Sequence, residues 1–178
     1  MTPLNYSGIV EVESIIDGSI INFYDAPRFK VKHTYMTANE KLAEDGGYVE
    51  VATREKHLHV GCGCRIEAYC DGKQILGNRM TSVFGEQNIE FGDIHVEEGK
   101  EVQIVKYVSM YSERECPTYE LHSTIKKEIE GFVHTGFENE LKLHEEVYHN
   151  MWENADIKIT GDDDLNRAVR FNIFHLMS

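Results

Sequence analysis

The sequence predicts a mainly β protein, an antiparallel β-sandwich that gives way to helices toward its C-terminus. Three observations predict it. Residues 57–69 alternate strictly: Leu58, Val60, Cys62, Cys64, Ile66 and Ala68 share one face, and His57, His59, Gly61, Gly63, Arg65 and Glu67 share the other. A period of two marks a half-buried strand. The pairs Asp17-Gly18, Gly46-Gly47 and Asp71-Gly72 punctuate residues 6–111 with no helical period between them. Strands joined by polar turns favour an antiparallel sandwich over a parallel sheet. After Cys116-Pro117 the apolar spacing widens, with Leu121, Ile125 and Ile129 four apart on one helical side.

The elements follow in order. Val10 and Val12 alternate with Ile9, Glu11 and Glu13, and residues 48–52 (YVEVA) alternate again. Asp71-Gly72 reads as a tight hairpin turn from the 57–69 strand into Gln74–Phe84. Glu97-Glu98-Gly99-Lys100 separates a strand near Asn88–Val96 from one at Glu101–Tyr111. Pro117 suits a first helical turn, and a helix runs from Thr118 to Phe132. Gly131 and Gly136 punctuate the chain there. A second helix spans Phe137–Asn154, with Leu141, His144, Val147, Tyr148, Met151 and Trp152 on one side. Residues 155–160 form a short extended link. Gly161-Asp162-Asp163-Asp164 opens the last helix, because an aspartate cap accepts backbone N–H groups and carboxylates suit the positive helix end. Leu165, Ala168, Val169, Asn172, Ile173 and Leu176 line one face of it, and Phe171, Phe174 and Met177 fill another. A helix apolar on two faces expects neighbours on two sides. The sequence stops inside that helix at Ser178, which predicts a piece of a larger protein.

At 178 residues the chain supports one sizeable core, or one domain plus a fragment of a second. Its 18 Lys+Arg stand against 31 Asp+Glu, a net charge of −13 that opposes nucleic-acid phosphates and anionic membrane surfaces as partners. No apolar run approaches the ~18 residues that span a bilayer. Met1–Val10 lacks the basic start and apolar stretch of a secretion leader. A reducing, cytoplasmic setting follows as the expectation, with Cys62, Cys64, Cys70 and Cys116 as thiols.

Several residues invite a chemical reading. His57-x-His59 places two imidazoles on one strand face, but two histidines without further ligands make a solvated face the stronger reading. Cys62-x-Cys64, with Cys70 beyond, lacks the spacing and partner pair of a zinc site and reads as buried thiols. Glu120, Glu128, Glu130, Glu138, Glu140, Glu145, Glu146 and Glu153 read as solvated helix faces. Asp162–Asp164 lacks the alternating ligands of a calcium loop and reads as a cap. His175 and the single tryptophan, Trp152, read as packing residues; an indole platform for a sugar is the sharper alternative for Trp152. No phosphate-cradling or nucleophile-elbow motif occurs. The expectation is no catalytic residue, no metal ligand and no cofactor site within these residues.

Three stretches carry a family resemblance. Trp152 followed by ADIKITGDDDLNRAVRFNIFHL (155–176) resembles the junction where the linker of glycoside hydrolase family 65 meets its catalytic barrel. YSGIVEVES (6–14) with Ile16-Asp17-Gly18 resembles a strand and turn of that family's N-terminal sandwich, and VQIVKYVSMYS (102–112) resembles its late strand. The family contains maltose, trehalose, kojibiose and nigerose phosphorylases and hydrolases such as acid trehalase. The resemblance implies a mutarotase-like β-supersandwich, a helical linker and an (α/α)6 barrel. It assigns residues 1–115 to part of the sandwich, 116–160 to the linker and 161–178 to the first barrel helix, and it implies truncation at both ends and a homodimer. In the intact parent, a glutamic acid would protonate the glycosidic oxygen of an α-linked glucose disaccharide. Inorganic phosphate, as co-substrate, would attack from the opposite face to give β-glucose 1-phosphate and glucose. An inverting hydrolase would need a second carboxylate to activate water. The family's acid and phosphate cradle lie further into the barrel, so no residue here inherits a catalytic role. Two other readings remain. A non-catalytic sugar-binding sandwich would expose aromatics such as Tyr48, Tyr69 or Tyr107. A partner-binding domain would dock through its apolar last helix.

Overall fold

The computed structural model describes residues 1–23, 30–43 and 45–177. The chain forms two compact units, Met1–His134 and Thr135–Ser178. The first is an antiparallel sandwich with one helix packed on it. A three-stranded sheet has the order β1-β9-β8, where β1 is Gly8–Asp17, β8 is Gly77–Phe84 and β9 is Gln87–Val96. The larger sheet has the order β10-β6-β5-β4, built from β4 (Thr34–Lys41), β5 (Gly47–Thr53), β6 (His59–Cys70) and β10 (Gln103–Ser112). The two-residue strand β7 (Lys73–Gln74) adds to β6, and β2 (Asn22–Phe23) pairs with β3 (Lys30–Val31). Every pairing is antiparallel, as the turn-punctuated sequence predicts.

The alternation holds in β1, where Val10, Val12 and Ser14 turn inward and Ile9, Glu11 and Glu13 stay exposed. It holds only in part in β6. One face carries Cys64, Ile66 and Ala68 into the core between the sheets, with Leu76, Ile94, Val96 and Val102. The opposite face is buried too, because Gly61 and Gly63 leave a trough for α1 (Leu121–Thr135). Leu121, Ile125 and Ile129, the three residues spaced four apart, are fully buried, and Ile125 and Ile129 pack with Leu42, Tyr48, Val105 and Tyr107. The strand expected to be half-buried is therefore covered on both sides. His57 also drops out of it: its φ is 52°, in a turn closed by His57 N–H donating to the Thr53 carbonyl at 3.0 Å, and β6 starts at His59.

Asp71 and Gly72 both take positive φ, 50° and 73°, the mirror-image turn that suits a two-residue hairpin. The run after it is not one strand. β7 ends at Gln74, Ile75 N–H donates to the Ala68 carbonyl at 2.8 Å, and Leu76 is buried between the sheets. The chain thus crosses from one sheet to the other, and β8 begins at Gly77 with a register shift before Met80. Pro117 precedes a single 3-10 turn, Thr118–Glu120, that leads into α1.

The second unit holds α2 (Phe137–Ala155) and α3 (Asp163–Met177). Gly136, at φ 81°, precedes α2. Asp162 Oδ1 accepts the Leu165 N–H at 2.9 Å, the aspartate cap that the sequence predicts. The expected last helix reaches Ser178, which lies outside the described residues. Neither helix buries a single residue. Among the described residues, no helix is long and apolar enough to cross a membrane.

Candidate functional site

Polar side chains gather at two places in the sandwich. On the α1 side of the larger sheet, Glu50 of β5 accepts hydrogen bonds from Tyr48 Oη at 2.7 Å and Thr37 Oγ1 at 2.9 Å, and its Oε1 lies 2.7 Å from His59 Nδ1. β4, β5 and β6 each contribute, and Tyr48 lies edge-on to the His122 ring of α1 at 4.7 Å. Burial opposes the charge on Glu50, yet the bonds from Tyr48, His59 and Thr37 outweigh it and hold its carboxyl below the ordinary carboxylate range. Burial, reinforced by Glu50, pushes the Tyr48 phenol up.

The other gathering joins the two sheets. Arg79 of β8 donates to Glu67 of β6 at 3.0 Å and to Glu90 of β9 at 2.9 Å, and also to the Ile66 carbonyl at 2.8 Å. Arg65 Nε donates to Glu67 at 2.7 Å, and Asp45 stands near both guanidiniums. Glu67 is 3% and Glu90 1% exposed. Burial pushes the Glu90 carboxyl up, against the pull of Arg79 and the Ile66 N–H. Two buried carboxylates held this way tie strands of the two sheets together through Arg79.

Between the sheets, a cleft of about 320 Å³ is lined by apolar side chains of β1, β5, β6 and β10, together with Cys62, Cys64 and Lys106. Within the second unit, Trp152 is half-buried, with the Arg170 guanidinium 5.1 Å from its ring centroid and Arg170 Nε 3.1 Å from Asp156 Oδ1. The guanidinium thus lies against the indole ring and is itself paired with Asp156.

The sequence candidates fall as follows. His57 and His59 do not share a strand face: His57 Nδ1 lies 3.1 Å from Tyr35 Oη, whereas His59 meets Glu50. No group of three or more His, Cys, Asp or Glu is arranged to hold a metal among the described residues. All four cysteines are free, and only Cys64 is fully buried. Burial pushes the Cys62 and Cys64 thiols up. Glu128, read as solvated, instead accepts hydrogen bonds from Ser109 and Tyr111 of β10. The remaining helical glutamates are exposed, apart from the half-buried Glu140. His175 is exposed and lies edge-on to Phe171 at 4.4 Å and Phe174 at 5.5 Å. Tyr48 and Tyr107 are buried and Tyr69 is half-buried, so two of the three tyrosines named for a sugar-binding sheet face are withdrawn from solvent. Sequence reasoning missed Arg79, Glu67 and Glu90. The signal lay in β9, whose inward positions read Asn88, Glu90, Gly92, Ile94 and Val96, polar where a core is expected.

Comparison with known proteins adds a second line. Residues 1–151 match the family model for the N-terminal domain of glycosyl hydrolase family 65. Kojibiose phosphorylase of Thermoanaerobacter brockii is 38% identical over 100% of this chain and 24% of its own length. Kojibiose phosphorylase of Caldanaerobacter subterraneus subsp. tengcongensis is 34% identical over the same shares. An alpha,alpha-trehalose phosphorylase of Thermoanaerobacter brockii is 27% identical over 99% of this chain and 23% of its own length. The chain spans about a quarter of the length of these relatives.

Proposed function

The chain belongs to glycosyl hydrolase family 65, with residues 1–151 matching the family's N-terminal domain, and from that premise we propose that it is the scaffold portion of a disaccharide phosphorylase. The carrying observation is that the whole of this chain matches about a quarter of two kojibiose phosphorylases, at 38% and 34% identity. The intact parent would cleave an α-linked glucose disaccharide with inorganic phosphate, giving β-glucose 1-phosphate and glucose, and kojibiose is the first substrate to try. Residues 1–115 would serve as sandwich, 116–160 as linker and 161–178 as the opening barrel helix. The scaffold reading is supported by three engaged carboxylates: half-buried Glu50 and buried Glu67 and Glu90 are each bonded to neighbouring strands. A cytoplasmic homodimer belongs to the same proposal.

The test is to express the whole reading frame that contains this chain and assay it with kojibiose, trehalose and maltose. Phosphate-dependent release of glucose 1-phosphate, fastest from kojibiose, is the expected result. Glucose release that ignores phosphate, or no turnover of any of the three, would overturn phosphorolysis. The 178-residue chain alone is expected to release nothing.

A further inference from the structure

The inter-sheet cleft brings together three sulfur side chains that the scaffold reading does not use. Cys62 and Cys64 lie two residues apart on β6 and point to the same face. Met110 of β10 is the direct cross-strand partner of Cys62, and directly opposed residues share a face. All three line the same cleft of about 320 Å³. We propose that Cys62, Cys64 and Met110 form a three-sulfur site for a soft monovalent cation, copper(I).

Thiolate and thioether sulfurs select copper(I) over the hard divalent ions that prefer oxygen. Reach is sufficient. Opposed Cβ atoms lie about 4.5–5.5 Å apart and diagonal neighbours about 7–8 Å, within range of a long side chain. The methionine chain has three rotatable bonds with which to close on an ion held by the two cysteines. The one carboxylate of the cleft, Asp17, is already held by Ser19 at 2.8 Å and Gln87 at 3.0 Å. Access runs from the Met110 side, because Met110 is 64% exposed and Cys62 half-buried, with the buried Cys64 innermost. Ser14 Oγ of β1 lies 3.5 Å from Cys64 Sγ across the space between the sheets.

The charges balance. Copper(I) displaces the proton of each thiol, two protons pass to solvent, and Met110 adds a neutral sulfur lone pair. The metal keeps its oxidation state. Two thiolates and one cation leave a single negative charge, and Lys106, which lines the same cleft, offsets it. A metal-bound cysteine is a thiolate, so binding releases protons and weakens at low pH. Cys70 and Cys116 do not line the cleft and serve as internal controls.

The test titrates the reduced 178-residue chain with copper(I) under anaerobic conditions, in competition with a chromophoric copper(I) chelator. The expected result is capture of one equivalent, with a thiolate-to-copper absorption band in the ultraviolet and release of two protons. Cys62→Ser and Cys64→Ser should each abolish the band. Met110→Leu, a near-isosteric change at an exposed position, should lower affinity roughly tenfold or more while leaving the circular dichroism unchanged. The Cys70→Ser/Cys116→Ser double variant should bind as the parent chain does. The proposal is overturned if that double variant loses the band, if either cleft serine variant keeps it, or if Met110→Leu binds copper(I) with unchanged affinity.

Discussion

Gly63 sits where a side chain would strike Ile125 and crowd Ile129 and Leu42. All three neighbours are buried core residues, so none can swing away into water. Gly63→Ala is therefore expected to destabilise the chain by about 1–3 kcal/mol through overpacking, read as a lower urea midpoint at unchanged slope. Glu50 makes a different prediction, set by pH. Its carboxyl ionises below the ordinary 4.5 in the folded chain, chiefly because hydrogen bonds from Tyr48, His59 and Thr37 overcome its burial. A depressed pKa contributes stability that is present above the unfolded value and is lost as pH falls through the folded one. Glu50→Gln should thus cost about 1–3 kcal/mol near neutrality, and the two unfolding curves should converge as pH drops below 4.5. A gap that persists in acid would mean that the amide's geometry, not lost charge, sets the cost. At this scale the sequence was readable only in part. Tyr48 and Glu50 lie on one face of an alternating strand, but Thr37 and His59 come from two other strands, and no local spacing announces that meeting.

Helix α1 shows what periodicity reports well. Leu121, Ile125 and Ile129 stand four apart in the sequence and are the helix's three buried residues. Ile125→Ala is expected to cost about 2–5 kcal/mol, because it opens a cavity over Gly61 and Gly63, whose missing side chains cannot fill it. A loss below about 1 kcal/mol, the range of surface changes, would mean that α1 is not seated in the trough. The same periodicity failed for β6. Alternation assigns Gly61 and Gly63 to the polar face because glycine has no side chain to classify. In the fold that lack is the reason a helix can lie there. Residues 74–84 failed for a related reason: Ile75 and Leu76 are consecutive apolar residues, and they mark a crossing between sheets that a single alternating strand cannot make.

The two units of the chain differ in how much they bury. The sandwich unit holds every fully buried apolar residue of the described chain, from Leu42 to Ile129. In the second unit α2 and α3 bury none, and Leu143, Val147, Leu165, Phe171 and Leu176 stay exposed. Most helical stability in a protein comes from a packed apolar face, and these helices of 19 and 15 residues bury no residue. Local opening is easiest where few apolar contacts are buried. In the 178-residue chain, amide hydrogens of α2 and α3 should therefore exchange far faster than those of β5, β6 and α1, by orders of magnitude rather than by a small factor. The chain matches only about a quarter of each kojibiose phosphorylase. If the remaining length of the parent supplies the neighbours that α3 expects on two sides, the same amides should become protected in the whole reading frame. Equal protection in the 178-residue chain and in the whole frame would mean that α2 and α3 support each other, and would remove the apolar helix faces as an argument for a scaffold that docks onto a larger body. Fast exchange here and slow exchange there would tie those faces to the parent's fold, residue by residue, with Phe171 and Leu176 as the places to look.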